Sequence, residues 1–168
     1  MKSESEVYEY IFKHLQYDDG VFYWGKRPYK SSLKIGSVAG YLDREGRWKI
    51  KIKRKYMRSW LVYLYFFKEF PPKGMDLDHI NRDKLDDRIE NLRVLTRSQN
   101  LINKTAQKNN KTSGIKNLHF YRNKWEVKWQ IDRKRLSKRF LDKDEAVNFI
   151  KKHVRPLQME YINQTLTA

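Results

Sequence analysis

Apolar residues recur along the chain at two different spacings, and each spacing predicts a type of element. Val7, Ile11 and Leu15 recur at helical spacing, which predicts a helix over residues 3–16, with Ser3 as its cap. Strict alternation predicts a strand over residues 47–54. Its apolar face carries Trp48, Ile50 and Ile52, and its other face carries Arg47, Lys49, Lys51 and Lys53.

The rest of the N-terminal half is predicted from shorter patterns. A turn at residues 18–20 precedes a strand at 21–24, and a basic, proline-interrupted loop covers 26–34. Residues 37–42 would pair with the alternating strand around a turn at 43–46. Residues 57–70 are apolar nearly all round, which favours a buried helix that ends at Pro71 and Pro72.

The C-terminal half shows the same alternation in a smaller unit. Strands are predicted at residues 118–122, 124–131 and 135–140, followed by a helix that Asp142 and Glu145 cap. Trp125 and Trp129 share the apolar face of the second strand, so we expect them in a core. The predicted fold class is α+β, with a small N-terminal antiparallel sheet and helices, a strand–strand–helix segment, and a three-stranded antiparallel sheet plus helix at the C-terminal end.

Charge changes this picture, because the 168 residues carry a formal net charge of +17. Residues 26–58 hold 12 Lys and Arg against 2 acids, and residues 104–139 hold the same numbers. The remaining residues carry 13 basic and 16 acidic side chains. Two basic regions around a more acidic one predict a polyanion as partner, with nucleic acid favoured over a membrane. The repulsion along the 47–53 face favours phosphate contact over mere solvation.

Cysteine content and hydropathy exclude several classes of protein. The chain has no cysteine, so disulfides and Cys-containing zinc sites are excluded, and no structural zinc is expected. The longest apolar run, residues 60–67, is too short to span a bilayer. An acidic N-terminal segment does not resemble a signal peptide. A cytoplasmic protein without a small-molecule cofactor is therefore expected.

The segment at 78–103 carries the candidate chemistry. Asp78 and His79 end a short strand, and Asn91 follows His79 by twelve residues at the start of a second strand. Thr96 and Gln99 form a capping-box pattern that opens a helix. Asn100, nine residues after Asn91, lies about one turn into that helix.

This order of residues resembles the ββα-metal, or HNH, nuclease motif, in the homing-endonuclease branch whose third position is Asn. The resemblance implies that His79 is the general base, that Asp78 and Asn100 hold a divalent metal, and that Asn91 ties down the loop and orients His79. Mg²⁺ is the expected ion, and Mn²⁺ would substitute. Resembling phage enzymes also carry His-Arg-Leu-Val where this chain has residues 59–62, Ser-Trp-Leu-Val, so no role is carried over to Ser59 or Trp60.

A second resemblance covers about 40 residues of the C-terminal half. The strings Ser-Gly-Ile-Lys, Trp-Glu-Val-Lys-Trp and Lys-Arg-Phe-Leu-Asp-Lys-Asp-Glu-Ala resemble the plant ethylene-response-factor DNA-binding domain, which also occurs in phage HNH homing endonucleases. In that family the outer face of the sheet lies in the major groove. The implied DNA-binding residues are Arg122, Lys124, Lys128, Arg133, Arg135 and Arg139.

Together these observations predict five segments. They are a basic region at 1–74, the nuclease motif at 75–103, a basic linker at 104–113, the DNA-binding module at 114–153 and a tail at 154–168. The expected function is site-specific, metal-dependent cleavage of double-stranded DNA to 5′-phosphate and 3′-hydroxyl ends. A monomer should nick one strand, and a dimer is left open. The alternatives are a DNA-binding protein with a nuclease-derived scaffold that does not cut, and an RNA-binding protein.

Overall fold

The computed structural model describes residues 4–28, 31–104, 110 and 112–163. Two compact units divide the chain, Met1–Val94 and Leu95–Ala168. Helices alternate with four small sheets, and every strand register determined is antiparallel, which confirms the predicted α+β class. No helix in the described ranges has the length and apolar character needed to cross a bilayer.

The first unit begins with a helix, α1 (Glu4–His14), and a hairpin of β1 (Leu15–Asp18) and β2 (Val21–Trp24). The prediction that this helix continues to Gln16 is wrong. Residues 15–18 pair with β2 instead, because Asp19 and Gly20 both have positive φ and form the tight turn that suits a hairpin. The predicted Ser3 cap lies outside the described residues.

A three-stranded sheet follows, made of β3 (Tyr41–Leu42), β4 (Trp48–Ile52) and β5 (Arg54–Met57). The predicted strand at 47–54 is broken at Lys53, whose φ of 61° turns the chain back on itself. The strand predicted at 37–42 is likewise shortened to two residues. Residues 54–57 therefore form a third strand, and the helix α2 (Arg58–Phe67) starts one residue later than predicted. It ends at Lys68, in the left-handed conformation, before the two prolines.

One apolar core holds these elements together. Buried side chains from α1, β2, β4 and α2 share it, and representatives are Ile11, Phe22, Ile50 and Leu61. The alternation in β4 explains its contribution, because Ile50 and Ile52 are buried whereas Lys51 is exposed. This core fixes the start of α2, from which Arg58 reaches the candidate site.

The central segment has the predicted order of strand, strand and helix. β6 (Met75–His79) pairs with β7 (Leu92–Thr96), and a short 3₁₀ turn at Ile89–Asn91 precedes β7. The helix α3 (Arg97–Asn103) then opens with the predicted capping box between Thr96 and Gln99. Short apolar strands on either side of a polar loop thus deliver Asp78, His79 and Asn91 to one region of the first unit.

The second unit contains an antiparallel sheet in the order β10-β9-β8, with β8 (Leu118–Tyr121), β9 (Lys124–Ile131) and β10 (Lys134–Phe140). The helix α4 (Lys143–Phe149) packs against this sheet, and Asp142 caps it as predicted. Trp125 and Trp129 lie against the core, which confirms that expectation. A π-helical turn at Ile150–Val154 leads into α5 (Arg155–Asn163), which packs on α3. Of the predicted linker, residues 105–109 and 111 lie outside the described residues.

Candidate active site

His79 ends β6, and its ring contacts a carboxylate that the sequence motif does not include. The His79 Nε2 atom lies 2.8 Å from Oδ1 of Asp87. Asp87 is only 3% exposed, whereas the His79 side chain is 15% exposed. The imidazole is therefore partly accessible to solvent and is held at Nε2 by a buried acid.

Arg58 binds the second oxygen of the same carboxylate. Its Nε donates to Asp87 Oδ2 at 2.7 Å, and its Nη2 donates to the Leu85 carbonyl at 2.8 Å. The guanidinium also lies over the Trp48 ring, 5.1 Å from its centre. A side chain at the first position of α2 is thus joined to β4 and to the loop that precedes β7, so the N-terminal sheet supports His79 through Asp87.

Close backbone packing holds Asp87 from a third direction. Gly20, in the β1–β2 turn, has a φ of 86°, and a Cβ on it would lie 2.6 Å from the Arg88 backbone nitrogen. Glycine is needed there for both the left-handed conformation and the close approach. The N-terminal hairpin is therefore pressed against the backbone that carries Asp87.

Asn91 is buried and bonds across the loop between β6 and β7. Its Oδ1 accepts from the Asn81 backbone N–H at 3.0 Å, and its Nδ2 donates to Asn81 Oδ1 and to the Asp86 carbonyl. Its own carbonyl accepts from the Ile80 N–H at 2.8 Å. One amide side chain therefore holds together the two ends of the loop that begins at His79, while the ring of His79 itself bonds to Asp87.

Asp86 adds a second brace to this loop. Its carboxylate accepts two bonds of 2.8 Å from the Arg88 guanidinium and one of 2.7 Å from Asn81 Nδ2. These bonds, that from Arg88 above all, lower the pKa of Asp86 to about 2. Above that pH the loop keeps the charged group around which it is folded.

Asp78 precedes His79 and points its carboxylate at a different arginine. Arg93, on β7, donates from Nε and Nη2 to Oδ2 of Asp78, both at 3.0 Å. Arg93 is buried, with 6% exposure, so the ion pair is screened little by water. Adjacent residues of β6 are thus held by separate arginines, Asp78 directly by Arg93 and His79 through Asp87 by Arg58.

Asn100 lies on α3, in the second unit, and is half-buried. Carboxylate and amide oxygens such as those of Asp78 and Asn100 are hard donors, and Mg²⁺ needs only one or two protein oxygens because it keeps several waters. The donor types therefore fit a hard divalent ion. Among the described residues, no three His, Asp or Glu side chains gather into a group that could hold a metal by themselves.

A comparison with protein families identifies this region. Residues 57–102 match the family model of an HNH endonuclease. The match spans the start of α2 to the end of α3, about a quarter of the chain, and supports a nuclease. HNH nucleases generally use a divalent metal ion. No curated protein and no solved structure matches the chain.

The basic residues predicted on β4 lie outside the HNH region and differ in their surroundings. Lys49 forms a 2.7 Å ion pair with Asp43, and this contact lowers the pKa of Asp43 to about 2. Arg47 is half-buried and its Nη1 lies 3.5 Å from the Met57 sulfur. Lys51 and Lys53 are exposed, and Lys55, which the sequence pattern did not select, lies directly across from Lys51 on β5.

In the second unit, one face of the sheet carries most of the predicted DNA-binding residues. The register aligns Lys128 with Ser137 and Glu126 with Arg139, so these side chains share the face opposite the α4 side. Glu126 forms ion pairs with Lys128 at 2.8 Å and Arg139 at 3.2 Å, which lower its pKa. Lys124 and Arg135 are exposed on that face, and Arg122 and Arg133 lie in the two hairpin turns.

Sequence reasoning missed three residues of the HNH region: Arg58, Asp87 and Arg93. Asp87 stands in a run of charged loop residues, and nothing in the sequence separates it from its charged neighbours. Arg58 begins a helix whose other residues are nearly all apolar. The sequence therefore shows only a single cation at the start of an apolar segment, which does not indicate its partner. Arg93 was visible within the Asn-Leu-Arg string, but its contact with Asp78 requires the strand pairing.

Proposed function

We propose that the protein is a metal-dependent, site-specific DNA endonuclease of the homing type that hydrolyses a phosphodiester to 5′-phosphate and 3′-hydroxyl ends. The single observation that carries the proposal is the buried Asp87 beneath His79 within a segment that matches an HNH endonuclease. A histidine oriented by a carboxylate and partly exposed to solvent suits the removal of a proton from water.

The proposed roles of the site residues follow from the resemblance to the HNH motif. His79 accepts the proton of the attacking water, and Asn91 keeps the loop after His79 in one conformation. Asp78 and Asn100 supply oxygen ligands for a divalent ion, Mg²⁺ or Mn²⁺. That ion, when bound, would stabilise charge on the phosphate and on the leaving 3′ oxygen. The Arg93 contact fixes the Asp78 carboxylate before any ligand arrives.

Duplex DNA is the proposed partner, and two basic surfaces would hold it. One is the basic hairpin, which we define as Lys51, Lys53 and Lys55 around the β4–β5 turn. Like charges directly across an antiparallel pair, as at Lys51 and Lys55, repel unless an anion lies between them. The other surface is the outer face of the C-terminal sheet, which resembles the ethylene-response-factor domain and would supply further contacts to the DNA. A monomer with one such centre would nick.

Metal-dependent cleavage is the direct test of this proposal. A library of supercoiled plasmids with random inserts should yield open circles with Mg²⁺ or Mn²⁺ and none with excess EDTA. The nicks should carry 5′-phosphates, which a ligase can reseal without kinase treatment. Tight DNA binding without metal-dependent cutting would instead support the alternative, a DNA-binding protein that has kept the nuclease scaffold.

Salt dependence tests the basic hairpin. Replacing Lys51, Lys53 and Lys55 with Gln should weaken duplex binding and flatten the plot of log affinity against log salt by about 0.9 for each lost phosphate contact. Lys13 and Lys73, both exposed, provide a control in which the same substitution is made elsewhere in the first unit. Equal slopes for the two variants would remove the hairpin from the DNA-binding surface.

A further inference from the structure

Asp87 has two acceptor oxygens, and each binds a different donor. Oδ1 lies 2.8 Å from His79 Nε2, and Oδ2 accepts from Arg58 Nε at 2.7 Å. The side chains of Asp87 and Arg58 are each 3% exposed, so water does not compete strongly for these bonds. Both oxygens of Asp87 are therefore hydrogen-bonded, one to the candidate base His79 and one to the buried Arg58.

We propose that Asp87 is a positioning residue that selects the protonation site of His79, and that Arg58 is needed to hold Asp87 in that role. A carboxylate oxygen only accepts hydrogen bonds, so the proton of the neutral imidazole resides on Nε2. The lone pair is then on Nδ1, which becomes the nitrogen that takes the proton from water. This inference rests on the proposed role of His79 as the base.

The surroundings of Arg58 explain why the carboxylate cannot rotate away. The guanidinium donates to the Leu85 carbonyl at 2.8 Å as well as to Asp87, and it lies over the Trp48 ring. Close packing of Gly20 against residues 87–88 fixes the backbone at the same point. Arg58 thus fixes which oxygen of Asp87 faces His79.

Asp87→Asn tests the proposal with almost no change in shape. An amide has one acceptor oxygen where the carboxylate has two. The charged Arg58 guanidinium is a stronger hydrogen-bond donor than His79, so it would bind that oxygen. The NH₂ group would then face His79 and force its proton to Nδ1. We expect nitrogen-15 NMR to show the Nε2–H tautomer in the wild type and the Nδ1–H tautomer in the variant.

The rate of DNA cleavage by Asp87→Asn is the second measurement that tests the proposal. The single-turnover rate of Asp87→Asn at saturating enzyme should fall by about 10²-fold or more, the usual contribution of a general base, while the DNA dissociation constant stays unchanged. Glu90→Gln, which removes an exposed acid three residues away, should change neither the tautomer nor the rate.

A double variant distinguishes acceptor chemistry from simple structural damage. In the double variant Arg58→Leu with Asp87→Asn, no guanidinium binds the amide oxygen. That oxygen can then accept a hydrogen bond from His79. The Nε2–H tautomer and part of the rate should return, even though the double variant has lost more contacts than Asp87→Asn alone. Continued Nδ1–H in the double variant would overturn the role given to Arg58.

The wild-type spectrum is decisive even if the variants fold poorly. A neutral His79 protonated on Nδ1 would overturn the proposal outright, and so would an Asp87→Asn protein with wild-type rate and tautomer. The tautomer is read without any cleavage. Failure of the nuclease assignment would therefore appear as absent cutting with the predicted tautomer intact, and the two failures are distinguishable.

Discussion

His79→Ala should slow metal-dependent DNA cleavage by about 10²- to 10⁴-fold and leave DNA affinity unchanged. Removal of a general base typically costs that factor, because the attacking water must then lose its proton to solvent. The ring is partly exposed and its Nε2 bonds to Asp87, which keeps its ion pair with Arg58 when the ring is removed. Single-turnover rates on supercoiled plasmid, with binding measured in parallel, would give both quantities.

The control for this experiment is His153→Ala, since His153 is exposed and belongs to the second unit, outside the segment that matches the HNH family. It should cut at the wild-type rate. A His79→Ala protein that cuts as fast as the wild type would refute the assignment of His79 as the base. A variant that loses both cutting and binding would point to a folding defect, which its thermal unfolding curve would reveal.

The central strand–strand–helix segment could be predicted well because local rules determine it. Thr96 and Gln99 satisfy the capping-box pattern within four residues, and the helix begins where the pattern predicts. Likewise the β9 strand alternates over its whole length, so both its limits and the packing of Trp125 against the core follow from the sequence. In these cases each residue's preference agrees with the final structure.

The errors arise where a single backbone conformation overrides a pattern. Alternation continues from Arg47 through Lys53, and nothing in that pattern indicates that Lys53 adopts a positive φ, which is uncommon for a side chain of this kind. The resulting hairpin places Lys55 opposite Lys51, a neighbour that sequence distance alone does not suggest. Near the N-terminus, Leu15 fits the helical periodicity of α1, but in the structure it pairs with β2 as the first residue of β1.

The motif of the candidate site could be recognised in the sequence, but the buried residues that contact it could not. Asp78, His79, Asn91 and Asn100 are recognisable from their spacing. Arg58 and Asp87 are 29 residues apart, and their contact depends on the core that packs α2 beside the loop. Sequence patterns predict which face of a helix or strand is buried and where a helix is capped. A buried ion pair between distant segments depends on how those elements pack, which the patterns do not show.

That pair has a large expected effect on stability. Arg58→Leu should lower the free energy of unfolding by about 3–5 kcal/mol, because it leaves the Asp87 carboxylate buried without its main charged partner. The Leu85 carbonyl also loses a donor, which adds to the cost. Chemical denaturation at neutral pH measures this directly, and Arg44→Leu, at an exposed turn position, should change stability by about 0.5 kcal/mol or less.

Removing both charges separates the pair's own contribution from the penalty of an orphaned charge. Arg58→Leu combined with Asp87→Leu should be less destabilised than Arg58→Leu alone, since apolar side chains can replace a buried ion pair at little cost. It should nevertheless fail to cut DNA, because His79 has lost its acceptor. If instead the double variant is as unstable as the sum of the single variants, the two side chains are not coupled. Stability without activity in the double variant would mean that Arg58 and Asp87 are required for the orientation of His79 more than for folding.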